Sequence, residues 1–192
     1  MEITIRDAIT VVHGMFFGAL LLLSFTGGAI GLYTATAARG SWNMTDRQRK
    51  LFSTYLAIMA LLAWITVFLG AYVVYPWYRA VPPAGTINLV GYPQHLLLSS
   101  PDTSGWHSIG MEWKEHLAWF APISLTAVAY IFAHYGTQLR VLKSLRNAVA
   151  GLIALAFVAA CVSGFFGAML NKNAAVRGGA NLVLMQGPSH GK

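Results

Sequence analysis

The chain has 192 residues, 56% of them hydrophobic and 10% charged, with a mean hydropathy of +0.57. Soluble domains carry about 25% charged residues, so a soluble globule of ordinary type is excluded. The net charge of +7 arises from basic residues placed between apolar runs. There they set membrane orientation and do not form a nucleic-acid surface, so no nucleic-acid partner is expected.

The N-terminal residues up to Asp7 bear both charge signs and lead into an apolar run from about 8 to 37. That run is too long for the core of a signal peptide, so it is expected to be a retained first helix. It carries His13, a Gly14–Gly18 pair with Gly-x-x-x-Gly spacing, and further small residues at Gly27, Gly28 and Gly31. Such a face admits either another helix or a flat macrocycle at close range. Loop one then brings Arg39, Arg47, Arg49 and Lys50.

The second run, about 51 to 78, ends in Tyr75-Pro-Trp-Tyr-Arg, the aromatic and basic pattern of a membrane interface. A long loop two (79–114) follows, with basic residues only at its ends, Arg79 and Lys114. Its His95 and His107 are expected to be solvated; the other use for them is copper binding with Met111 or His116.

The third run, about 115 to 135, has a histidine at each end, His116 and His134. Loop three carries Arg140, Lys143 and Arg146, and the fourth run spans about 148 to 170, enclosing the lone Cys161 as an inert buried thiol. A tail from 171 to 192, rich in Gly, Ala and Asn, is expected to be extended.

Each run is long enough to cross a hydrocarbon core, which needs about 20 helical residues. In lipid the backbone must satisfy its own hydrogen bonds, so the runs should be helices. The expected fold is all-α: one transmembrane domain over 1–192, a polytopic membrane four-helix bundle with one long outer-side loop. The basic residues of loops one and three place those loops in the cytoplasm. That makes it a multi-pass protein of the cell inner membrane with both termini and loop two on the outer side.

This topology puts His13 and His116 at similar depth on different helices, which is the requirement for ligating haem b between two imidazoles. Glu112, one turn before His116, is a second candidate: a hydrogen-bond partner for that imidazole or a solvated acid at the start of a helix. His134 lies 18 residues after His116, about five turns and 27 Å further along the same face. A second haem there would need another ligand, and Met59 and Tyr33 are poor ones, so His134 is expected in quinone binding, proton exchange or a structural hydrogen bond. The acidic residues, Glu2, Asp7, Asp46, Asp102, Glu112 and Glu115, all lie outside the span centres, which argues against an ion-coupled transporter.

Four helices with histidines matched in depth, His13 and His116, resemble the small membrane cytochromes b, the haem-b anchors of respiratory and quinone-linked complexes. The second and fourth helices have no histidine, which departs from the common two-haem arrangement. The resemblance implies an electron-transfer subunit with one haem b at the outer end. It would link the quinone pool to other subunits or to a soluble or membrane-anchored cytochrome c. The expected haem-site residues are His13, His116, Gly14, Gly18 and His134. Two other readings remain open: a haem-free accessory subunit of a larger membrane complex, and an outer-face copper-handling protein.

Overall fold

In the computed structural model, which describes residues 2–36 and 44–183, the chain is an all-α bundle. A short strand β1 (Glu2–Thr4) leads into α1 (Ile5–Thr36), followed by α2 (Asp46–Tyr78). A short α3 (Pro93–Leu98) precedes α4 (Pro101–Tyr135), α5 (Lys143–Asn173) and strand β2 (Asn181–Val183). Helices α1, α2, α4 and α5 are long and apolar enough to cross a membrane, and their outer faces are in contact with lipid. Ala37, the first part of loop one (38–43) including Arg39, and the end of the tail including His190 lie outside the described residues.

The helices start where backbone chemistry favours it. Thr45 and Gln48 form a reciprocal cap at the head of α2: the Thr45 hydroxyl accepts from Gln48 N at 3.2 Å, and Gln48 Oε1 accepts from Thr45 N at 2.9 Å. The head of α4 uses Ser100, whose Oγ accepts from Asp102 N at 3.3 Å, with Pro101 at the first helical position. Helix α4 thus begins at Pro101 and not at 115, and the connection expected over 79–114 is extended loop only in part.

Pro122 interrupts α4 in a specific way. It has no N–H to give the Ala118 carbonyl, which instead accepts from Ala121 N at 3.3 Å, one residue short of the helical register.

Around the bundle, α4 packs against both α2 and α5, while α1 lies between α2 and α5 and so diagonally across from α4. The main core joins Phe25 of α1, Leu56, Met59 and Ala63 of α2, Leu125, Val128 and Phe132 of α4, and Ala156 of α5. Between helices in lipid, shape complementarity and hydrogen bonds carry the attraction. Gly28 supplies the first: a methyl there would stand 3.1 Å from Met59 Sδ, and a methyl on Gly31 would overlap the Phe52 ring. The second comes from Tyr55 Oη, which donates to Ser24 O at 2.5 Å, and Trp64 Nε1, which donates to Thr126 Oγ1 at 3.0 Å.

The two ends of the bundle differ. One end gathers the α4–α5 connection and the start of α2, with Arg47, Arg49, Lys50, Arg140, Lys143 and Arg146; Arg140 Nε donates to the Ala35 carbonyl at 3.1 Å, closing the end of α1. The other, here the loop end, carries residues 79–100 and a second core of Val74, Tyr78, Leu97, Met111 and Leu170. Both strands lie there too, paired antiparallel with Glu2 opposite Val183, so the start of the tail folds back on the N-terminus.

Candidate functional site

The loop end of the bundle interior is where polar side chains collect. Helix α1 opens into a π-helical turn over Val12–Gly18, and α2 into another over Gly70–Val74. Such turns insert an extra residue, swing side chains out of the ordinary register and recur at functional sites. His13 lies in the first. Its ring fills the space left by Gly70: a methyl at Gly70 would stand 2.8 Å from His13 Cε1 and 3.1 Å from Nε2. The Thr66 carbonyl, one turn before Gly70, is within reach of the ring, and Nδ1 is buried without a hydrogen-bond partner.

Lys114, on the diagonal helix α4, is half-buried and acts electrostatically on His13. Gly167 of α5 lies beside it: a methyl there would be in ordinary van der Waals contact with Lys114 Cε and Nζ at 3.4 Å. One turn before Gly167, the Ser163 hydroxyl is buried and unpaired. Lys114 makes no hydrogen bond and no ion pair among the described residues. Its charged neighbour Glu115 also acts on the Tyr75 and Tyr78 hydroxyls. An imidazole, an ammonium and a hydroxyl, one from each of three helices, therefore lie toward the same end of the bundle.

His116 is elsewhere. Two residues after Lys114 it is turned about 200° around the helix. With Lys114 inside, the His116 side chain is outside and 75% exposed. Its Nδ1–H donates to the Glu112 carbonyl at 2.7 Å, and the Glu112 carboxylate stands 3.8 Å from the same nitrogen. The expected Glu112 partnership thus forms mainly through the backbone. His134 repeats the arrangement: exposed, with Nδ1–H donating to the Tyr130 carbonyl at 2.9 Å and its ring 4.2 Å from that of Tyr130. In both, Nδ1 carries the donated proton, so in the neutral ring Nε2 is the lone-pair nitrogen.

The chain therefore does not bring His13 and His116 together. With the His116 side chain 75% exposed, these residues do not fit a haem held between His13 and His116. Gly14 is exposed, and Gly18 meets the His13 carbonyl at 3.6 Å, so among the described residues this pair forms no helix contact. The close helix approach is made by Gly27, Gly28 and Gly31 instead.

His107 and His95, expected to be solvated, are half-buried. Buried Tyr78 bonds His107 Nδ1 at 2.7 Å, and Gln94 Nε2 lies 3.4 Å from His107 Nε2. His95 Nδ1 is buried and unpaired. Among the described residues no three His, Cys, Asp or Glu side chains converge as a metal site. Sequence reasoning missed Lys114 and Ser163 as interior groups; the signal that could have found them is their pairing with Gly110 and Gly167 at helical spacing.

No family model matches this chain, and no curated protein or solved structure matches it.

Proposed function

We propose that the chain is an electron-transfer subunit of a quinone-linked membrane complex, with haem b held between His116 and a ligand from a partner subunit. The observation that carries this reading is the outward His116 ring, its Nδ1 engaged at 2.7 Å and its Nε2 left as a ligand atom on the bundle surface. Neutral imidazole with one nitrogen fixed by a carbonyl is the form that ligates iron. When bound, haem b supplies the one-electron chemistry. The chain's own residues hold the ligand ring at a set angle and present it at the end of α4 that carries loop two. His134, prepared in the same way, is the ligand for a second haem at the opposite end.

The distribution of basic residues supports the inner-membrane orientation. Arg47, Arg49, Lys50, Arg140, Lys143 and Arg146 mark the cytoplasmic end. The termini and loop two then face outward, where a cytochrome c can dock.

A second reading is favoured by the interior position of Lys114: a haem-free accessory subunit. A reduced-minus-oxidised visible spectrum of the complex isolated from native membranes separates the two. The electron-transfer reading requires the sharp α-band of a low-spin haem b that stays with this chain; a complex without that band establishes the accessory reading instead.

A further inference from the structure

A groove lies between α1 and α2 toward the basic end of the bundle. It has a volume of about 380 Å³, and its walls include Gly27 and Thr34 of α1 and Gln48, Leu51, Phe52 and Tyr55 of α2. That volume lies within the range of small-molecule sites, roughly 300–1,000 Å³. Gly27, Gln48 and Leu51 are exposed, so the groove faces outward from the bundle.

The lining changes character along α2. Leu51, Phe52 and Tyr55 are the deeper residues and make an apolar, aromatic wall. Gln48 stands in the first turn, at the mouth. Its Oε1 is taken by Thr45 N at 2.9 Å, while its Nε2 makes no hydrogen bond among the described residues. Arg47, four residues before Leu51, is offset from it by about 40° around the helix and so borders the groove at the level of Gln48. Lys50, one residue before Leu51, stands about 100° away on the same side. Both cations are exposed, and neither makes a hydrogen bond or an ion pair among the described residues.

Charge at this end is one-sided. Of the six acidic residues only Asp46 lies here, and its carboxylate is held by Arg49 at 2.9 Å. The other five, Glu2, Asp7, Asp102, Glu112 and Glu115, belong to the loop end. Arg47 and Lys50 therefore have no carboxylate side chain left to pair with.

A groove that is apolar along its depth, with an amide donor and unopposed cations at its mouth, suits an amphiphile with a negative head. We propose that the α1–α2 groove holds one anionic phospholipid. An acyl chain lies along Leu51, Phe52 and Tyr55. The phosphate accepts from the Arg47 guanidinium, whose fork matches it, and from Gln48 Nε2, with Lys50 adding charge. Basic pockets between membrane helices are a recurrent form of headgroup site. A zwitterionic lipid brings its own cation to the mouth, so the anionic head is favoured. The site requires only the membrane spans and is independent of the haem reading.

The test is native mass spectrometry of the purified full chain from detergent micelles carrying dioleoyl phosphatidylglycerol or dioleoyl phosphatidylcholine, read as lipid retained per chain against lipid concentration. One phosphatidylglycerol should be retained at concentrations about tenfold below those that phosphatidylcholine requires. Arg47→Gln should weaken that retention by about tenfold, the effect of losing one hydrogen bond to a charged group. Gln48→Glu still offers Thr45 a reciprocal cap but sets a carboxylate at the mouth. It should weaken phosphatidylglycerol at least as much and leave phosphatidylcholine unchanged. Leu51→Trp fills the groove and should abolish retention of the single lipid. Lys143→Gln removes a charge from the same end on another helix and should change nothing. Helical content by circular dichroism identifies any variant that fails to fold, and Gln48→Glu, which keeps the cap, keeps the test decisive. Equal retention of the two lipids by the wild-type chain overturns the proposal. So do equal losses in Lys143→Gln and Arg47→Gln, which mark a diffuse basic surface. A response to Leu51→Trp alone overturns it too, by marking an acyl-chain groove without headgroup recognition.

Discussion

At the scale of single residues, the loop-end interior depends on what glycine leaves out. His13 occupies the side-chain space of Gly70. Gly70→Ala places a methyl 2.8 Å from His13 Cε1, tighter than packed carbons tolerate, and overpacking of this kind costs about 1–3 kcal/mol. Unfolding in detergent should register that loss. Paired with His13→Ala, the same substitution should cost much less, because the ring it collides with is gone; equal losses in both backgrounds would mean the ring does not sit against Gly70. The inward turn of Lys114 and the outward turn of His116 were not legible in the sequence. Matching helix ends fixes the height of a side chain but not its direction around the helix, and a difference of two residues is enough to reverse it. His13 was readable as an interior group because one imidazole in an apolar run has few other tolerable places. His116, at the water-facing end of its helix, had no such constraint.

At the scale of elements, the spans were legible from hydropathy alone and their ends were not. The start of α4 reads as loop because residues 101–114 are mixed polar and aromatic, with no apolar run to mark a helix. The local signals were present, a Ser before a Pro at one start and a Thr-x-x-Gln box at the other, and they act through the backbone without changing hydropathy. The far end of α1 depends on a long-range contact, Arg140 Nε on the Ala35 carbonyl at 3.1 Å. Arg140→Met removes that donor, and amide hydrogen exchange should rise in the last turn of α1 while the middle of the helix stays protected. Unchanged exchange there would show that the contact does not hold the end closed. Within α4, Pro122→Ala restores an N–H for the Ala118 carbonyl. The expected result is slower exchange at residue 122 and its neighbours and a straighter helix, with a changed angle for the His116 ring.

For the whole molecule, four helices run alternately through the bilayer, and β1 with β2 ties the N-terminus to the start of the tail at the loop end. Since Cys161 is the one cysteine, a Cys161→Ala background carrying Gly85→Cys reports on loop two. In intact cells with only the outer membrane opened, a membrane-impermeant maleimide should label Gly85→Cys and leave Ser144→Cys, at the basic end, unlabelled. The reverse pattern would invert the proposed orientation. The proposed function, however, turns on which imidazole binds haem. The most direct measurement is the α-band of the reduced-minus-oxidised spectrum in complexes isolated with wild-type, His116→Ala and His13→Ala chains. The account predicts that the band contributed with this chain is lost in His116→Ala and retained in His13→Ala. A band that survives His116→Ala and disappears with His13→Ala would contradict it.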